Sequence, residues 1–215
     1  MKEYYEFKSS NYGIGNSRLK NIIGFIDSSD SLKILDIGCA GGVLGNNLKH
    51  LGHSVHGVEI SKTAAESAKK YLDKVFVFDV MGNWPEEVSN IKYDIFIISE
   101  VIEHLFDPEI VLKKIWSILN ENGIMILTTP NFLVWTNRIR FLFGIFSYKS
   151  EGMFDYGHIR WFTHSSLKQL LLRTGFIILK ENNIIFPKQL RLILKYFPSI
   201  FSLQFIIKTK KSREC

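Results

Sequence analysis

The chain has 215 residues, 46% of them hydrophobic and 22% charged, with 27 Lys/Arg against 21 Asp/Glu. That length suits one domain, 1–215, with a sizeable core, and no stretch approaches the roughly 20 uninterrupted apolar residues of a membrane span. Two distant cysteines, Cys39 and Cys215, exclude a disulfide framework, and the polar start Met1-Lys2-Glu3 lacks the apolar core of a secretion signal, so the expectation is a reducing, cytoplasmic setting.

Residues 1–31 read as an N-terminal arm and helix. Tyr4, Tyr5, Phe7 and Tyr12 come first, and then Leu19, Ile22, Ile23 and Ile26 fall at helical spacing. Lys33–Ile37 follows as a buried strand. It breaks into the small residues Gly38-Cys39-Ala40-Gly41-Gly42, and helical spacing resumes at Val43. Strand, small-residue turn and helix open a nucleotide-binding α/β unit, because the backbone must approach a ligand and feed into a helix N-terminus. Asp36 stands at the strand's end. His53–Ile60 reads as the next strand and carries Glu59, 17 residues past Gly42, near the spacing at which a carboxylate holds a ribose diol. A bound adenosine follows. An acid just before the first glycine would repel a pyrophosphate but can pair with a cation, which counts against a nicotinamide oxidoreductase. The pattern Asp36-x-Gly38-x-Ala40-x-Gly42 resembles motif I of the class I S-adenosylmethionine-dependent methyltransferases, with Ala40 where glycine is commonest.

Further along, Ser61 is a plausible N-cap for an Ala-rich helix, and Lys74–Val80 reads as a strand ending in Asp79. Tyr93–Glu100 is almost wholly apolar, as a central parallel strand should be. Asp107-Pro108 starts a helix that Asn122-Gly123 is expected to stop, and Gly123–Asn131 is the fifth strand. Residues 132–163 are less regular, rich in Phe, Leu, Ile and Trp with Arg138 and Arg140 among them, and suit a lid-like insertion or an interfacial helix. Helix Ser165–Thr174, strand Phe176–Ile185, helix Gln189–Phe197 and strand Leu203–Lys208 complete the chain. The expected fold is a Rossmann-like, seven-stranded, mostly parallel sheet with helices on both faces. Ligands gather beyond the carboxyl ends of such strands, where Asp36, Glu59, Asp79, Glu100 and Asn131 all fall.

Three pieces sharpen the resemblance: Glu100-Val101-Ile102-Glu103-His104, Thr129-Pro130-Asn131 and His158-Ile159-Arg160-Trp161-Phe162-Thr163. They look like the bacterial methyltransferases near the ubiquinone-biosynthesis O-methyltransferases. The resemblance implies an S-adenosylmethionine site built from Asp36, Gly38, Cys39, Ala40, Gly41, Gly42, Glu59, Ile60, Asp79, Val80 and Glu100, with Asp79 on the adenine amino group. Transfer to a hydroxyl needs a proton acceptor, and His158 and His104 are the candidates. Glu-x-x-Glu-His also resembles the metal motif of RNA 3′-terminal 2′-O-methyltransferases. Glu100, Glu103, His104 and His158 therefore form a candidate divalent-metal set, for Mg or Mn.

The charge is uneven. Residues 1–131 hold 13 Lys/Arg and 17 Asp/Glu, whereas residues 132–215 hold 14 and 4. The basic half suits the acceptor side, facing a small-molecule, glycan or lipid-linked hydroxyl, with a peripheral contact to the anionic inner membrane face. Nucleic acid is the less favoured partner. A non-catalytic nucleotide-binding protein is the remaining alternative, against which the row of strand-end acids argues.

Overall fold

The computed structural model describes residues 14–26, 30–150 and 152–212. The aromatic start of the N-terminal arm and Cys215 lie outside them.

The strands form where apolar and β-branched residues run together. They are β1 (Lys33–Ile37), β2 (Ser54–Glu59), β3 (Lys74–Val77), β4 (Tyr93–Ser99), β5 (Leu119–Pro130), β6 (Phe176–Glu181), β7 (Ile184–Ile185) and β8 (Ser202–Lys211). They make one sheet in the order β3-β2-β1-β4-β5-β8-β6, with β7 on β8. The first five pair in parallel, and β8 runs antiparallel to β5 and β6. Side chains of a strand alternate between the two faces of the sheet, and both faces are covered here, so the middles of β1 (Ile34, Leu35) and β4 (Ile95–Ile98) are apolar without a break. Leu35, Ile37, Phe96 and Ile98 join one core layer, under Val111, Leu112 and Ile115 of α5 (Pro108–Ile118) and Leu167 and Leu171 of α7 (His164–Arg173). Ile34, Ile95 and Ile97 join the other, under Ile22 of α1 (Asn16–Ile23) and Leu44 and Leu48 of α2 (Val43–His50).

Local signals placed several helix starts. Ser61 caps α3 (Lys62–Ala68) by accepting from the Ala64 N–H at 3.1 Å, and the short α4 (Glu86–Ser89) follows β3. Asp107 caps α5 through the Glu109 N–H at 3.0 Å, with Pro108 first in the helix. A capping box of Thr163 and Ser166 opens α7.

The structure corrects the sequence reading in several places. The sheet has eight strands, not seven. Asn182 and Asn183 split the expected strand Phe176–Ile185: Asn182 bonds to Asn21 on α1, and Asn183 accepts the Ile206 N–H. Helix α5 ends at Ile118 rather than at Asn122-Gly123. Leu119 is already extended and pairs with Tyr93, and the Asn120 amide bonds to Asp94. Strand β3 stops at Val77, two residues short of Asp79. The expected helix Gln189–Phe197 is broken into a 3₁₀ turn (Lys188–Leu190) and the single turn α8 (Arg191–Leu194), followed by α9 (Pro198–Phe201). None of their residues is buried, so no packing extends them.

Candidate functional site

The turn after β1 is fixed from below by its neighbour strand. Gly38 and Cys39 donate to the Val58 carbonyl at 2.8 and 3.1 Å, and Gly42 donates to Cys39 at 2.9 Å. Gly38 has φ +73°, and a Cβ there would meet Val101 Cγ2 at 2.4 Å, so only glycine fits. Gly42, the N-cap of α2 at φ +82°, lies against Ala68. Ala40 also stands in the left-handed region, at φ +46°. Glu59 holds the loop: one carboxylate oxygen accepts the Ala40 N–H and the other the Ser61 N–H, each at 2.9 Å.

A cleft opens on this turn, lined by Asp36, Gly38–Gly41, Val43, Leu44, Ser99 and, from before α1, Ile14. Asp36 is 2% exposed. Burial, and then the neighbouring Glu59 charge, push its carboxyl up to about 8. Burial likewise raises the Cys39 thiol, helped by Asp36 and Glu59. Gly42, Glu59, Ile60, Asp79, Val80 and Glu100 do not line the cleft itself. Glu59, beside its strand-end neighbour Ile60, is held to the turn by the Ala40 and Ser61 N–H groups. Asp79 is exposed beyond β3 and accepts the Met81 N–H at 2.9 Å, next to the buried Val80. Lys114 of α5 donates to the carbonyls of Val80, Met81 and Gly82, at 3.3, 3.3 and 2.5 Å, and so fixes this loop.

Beyond β4 the chain reverses sharply, with Glu100 at φ +58°. That turn sends Glu100 toward Arg18 of α1, at 3.3 Å, and toward the amide of Gln204 and the hydroxyl of Thr128. Glu100 is therefore not part of the metal set expected from the sequence. Among the described residues, the potential ligand atoms that lie within 4.8 Å of one another belong to Glu103, His104 and His158. Glu103 and His104 stand on the 3₁₀ turn Ile102–His104. His158 comes from the distant loop before α7, which the Ile159 and Arg160 N–H groups anchor to the Glu103 carbonyl.

The two imidazoles lie edge to face, with centroids 4.7 Å apart. His104 Nδ1 faces the Gly157 carbonyl and His158 Nδ1 the Met153 carbonyl, each at 2.8 Å. A carbonyl only accepts, so Nδ1 carries the hydrogen in each ring and the neutral lone pair falls on Nε2. His158 Nε2 is 3.9 Å from Glu103 Oε1. Glu103 is 1% exposed. Its Oε2 accepts from the Thr129 hydroxyl at 3.0 Å, while its buried Oε1 has no hydrogen-bond partner. Burial, and then the charge of Glu100, raise the Glu103 carboxyl well above the ordinary carboxylate range. Beside the cluster, Trp161 packs within 4.8–6.4 Å of Phe132, Phe146, Tyr148, Phe154 and His158, which makes an aromatic wall. Helix α6 (Trp135–Leu142) lies within the expected insertion at 132–163.

Sequence reasoning did not anticipate Arg18, Ser99, Lys114 or Gln204 at this end of the sheet. Their partners are long-range and leave no local pattern. Arg18 alone left a sign, as a charged residue on the amphipathic helix that carries Leu19, Ile22 and Ile23.

A family model described as a methyltransferase domain matches residues 16–181. Over 118 residues the chain is 35% identical to a ubiquinone biosynthesis O-methyltransferase of Bradyrhizobium diazoefficiens, covering 54% of this chain and 44% of that protein. Against the protein of the same name from Pelagibacter ubique the identity is 37% over 112 residues, covering 49% and 47%. The chain thus spans about half the length of these curated relatives. Two solved structures share the fold. One is a possible histamine N-methyltransferase of Thermotoga maritima, with TM-score 0.66, 21% identity and 91% of this chain and 88% of that one covered. The other is the magnesium protoporphyrin IX methyltransferase of Synechocystis with bound SAH, with TM-score 0.69, 15% identity and 98% of both chains covered.

Proposed function

The chain belongs to the class I S-adenosylmethionine-dependent methyltransferases, and from that premise we propose that it transfers the methyl group to a hydroxyl of a small-molecule, glycan or lipid-linked acceptor. The observation that carries the reading is a juxtaposition. The Gly38–Gly41 turn and Asp36 meet Ser99 in one cleft, and just past the end of the same strand β4 His104 meets His158, which the loop before α7 brings to it. The rival reading as a nicotinamide oxidoreductase falls with the family membership.

In this reading Gly38, Cys39, Ala40, Gly41 and Gly42 carry the cofactor's backbone contacts. Glu59 stiffens the loop and takes the ribose diol with its remaining lone pairs, beside Ile60. Asp79 and Val80 receive the adenine. Arg18 and Glu100 offer one charge of each sign, which matches the zwitterionic methionine end. Asp36 favours a cation at the sulfonium. His104 or His158 would accept the hydroxyl proton through Nε2 as the oxygen takes the methyl carbon in line and the methyl–sulfur bond breaks, leaving S-adenosylhomocysteine. Residues 132–163, with the Trp161 wall, form the acceptor side. The ubiquinone-biosynthesis relatives point to a small-molecule acceptor. The test is mass spectrometry of labelled methyl groups in cell extract treated with the wild type and with His158→Ala. A new O-methylated small molecule made only by the wild type supports the reading. Labelled RNA 3′ ends, or N-methyl products alone, would contradict it.

A second reading concerns a divalent cation held by Glu103, His104 and His158. The unpartnered buried Oε1 of Glu103 and the Nε2 lone pairs of both histidines fit such an ion, and mixed carboxylate and imidazole donors suit Mn at least as well as Mg. When bound it would lower the pKa of an acceptor hydroxyl. Titration calorimetry with Mn, with Glu103→Ala as control, reads binding without activity. Activity that survives chelation unchanged would remove the metal and leave the imidazoles as simple bases.

A further inference from the structure

Two segments stand beyond the carboxyl end of β5, and both carry exposed large apolar side chains. The pairing of Pro130 with Gln204 in the antiparallel β5–β8 ladder brings the exit of β5 and the entry to β8 to the same end of the sheet. That end also carries the Gly38 turn. The segment after β5 contains α6, and the segment before β8 contains α8 and α9. They are tied at their bases: Asn131 donates to the Ser199 carbonyl at 3.2 Å, and the Trp135 and Phe186 rings lie parallel, 6.2 Å apart.

Their outer side chains are bulky and apolar. Leu142 is 81% exposed, Phe143 72%, Leu192 79%, Ile193 64% and Tyr196 72%. Such exposure, clustered in neighbouring segments, marks an interaction surface, because single apolar residues normally scatter. The charge among them is of one sign. Residues 132–150 and 184–204 carry Arg138, Arg140, Lys149, Lys188, Arg191 and Lys195 and no Asp or Glu.

We infer that this face docks on the surface of an anionic lipid bilayer. Apolar side chains enter the headgroup boundary while the lysines and arginines pair with lipid phosphates. The charge pattern selects this occupant over two others. A second copy of the same face would set six cations against six. A nucleic acid would satisfy the cations but leave Leu142, Leu192 and Ile193 in water, since aliphatic chains do not stack on bases as aromatic ones do. Among the described residues no helix is long and apolar enough to cross a membrane, and the contact inferred is one at the headgroup interface. The inference rests on surface and charge alone and stands apart from the methyl-transfer reading. If both hold, the bilayer lies beside the acceptor side of the site.

The test is flotation of the full chain with vesicles of phosphatidylcholine, alone or mixed with phosphatidylglycerol. Binding is expected on the mixed vesicles at low salt and should fall as salt rises. Each neutralised cation should weaken it roughly fivefold. The doubly substituted Leu142→Ser/Phe143→Ser and Leu192→Ser/Tyr196→Ser chains should lose at least about tenfold in partitioning. Both should keep wild-type thermal melting and S-adenosylhomocysteine affinity, because the residues are exposed and outside the cleft. No flotation of the wild type at low salt would overturn the inference. So would retention on RNA that those serine variants leave unchanged, or self-association in sedimentation velocity that the same variants abolish.

Discussion

Glu59 accepts the backbone N–H of Ala40 at 2.9 Å, so the second strand's acid holds the shape of the first strand's loop. With the Ser61 N–H on its other oxygen, one carboxylate satisfies two buried donors. Glu59→Ala would leave both unpaired and should cost about 2–4 kcal/mol of stability in denaturant unfolding. Glu59→Gln keeps one amide oxygen as acceptor and should lose less. A Glu59→Ala chain as stable as the wild type would show that water replaces the carboxylate.

In the proposed site, Asp36 should make cofactor binding depend on pH. Its carboxyl is pushed up to about 8, so the stability that goes with the protonated form is full below the unfolded value of 3.8 and is lost as pH rises through 8. The unliganded protein should therefore melt lower at pH 8 than at pH 6, and Asp36→Asn should remove that part of the slope. A cationic cofactor favours the ionised form. S-adenosylmethionine should then release a fraction of a proton on binding at pH 7, read by calorimetry in buffers of different ionisation enthalpy. Equal proton release from Asp36→Asn would assign it elsewhere.

Ala40 holds φ +46° in a loop whose other left-handed positions are glycines. The left-handed region costs a non-glycine residue about 1–2 kcal/mol, and glycine gives back about 0.5–1 kcal/mol through its freer unfolded chain. Ala40→Gly should thus stabilise the protein by up to about 1 kcal/mol, visible as a rise in denaturant midpoint at unchanged slope. Destabilisation would mean that the Ala40 methyl packs productively.

Glu181 links β6 to α7. Burial raises its carboxyl, but the bond from His164 at 2.7 Å, with Asn183 and Lys168, more than offsets this and lowers it to about 2. A depressed folded value gives stability that is present above the unfolded value of 4.5 and lost as pH falls through 2. Wild type should exceed Glu181→Gln by about 2 kcal/mol near pH 6, discounted for partial exposure, with the gap closing toward pH 2. A gap independent of pH would show that the contact acts by packing.

What the sequence made legible was local or periodic. Strands β1 and β4, buried on both faces, read as apolar runs. Ser61 and Asp107 announced their helices because a cap acts within three residues. The Gly38–Gly42 turn was legible because close backbone approach demands small residues there. The contacts that reorganised the site were long-range. Glu100 adopts φ +58° where Arg18, Gln204 and Thr128 meet it from three other elements, and the sequence around it carries no glycine to signal the turn. The eighth strand arose from Asn182 and Asn183, whose partners lie on α1 and β8. The broken segment after Pro187 kept helical spacing but found no surface to bury it.

The central claim is that the cleft at Asp36–Gly41, braced by Glu59, is a site for an adenosine-bearing sulfonium cofactor. Calorimetric titration of S-adenosylhomocysteine into the wild type, with NAD titrated in parallel, tests it most directly. The account predicts one S-adenosylhomocysteine per chain, an affinity about 1.5–3 kcal/mol weaker in a folded Glu59→Ala chain, and no heat from NAD. Saturable heat from NAD with none from S-adenosylhomocysteine, or wild-type affinity in Glu59→Ala, would contradict it.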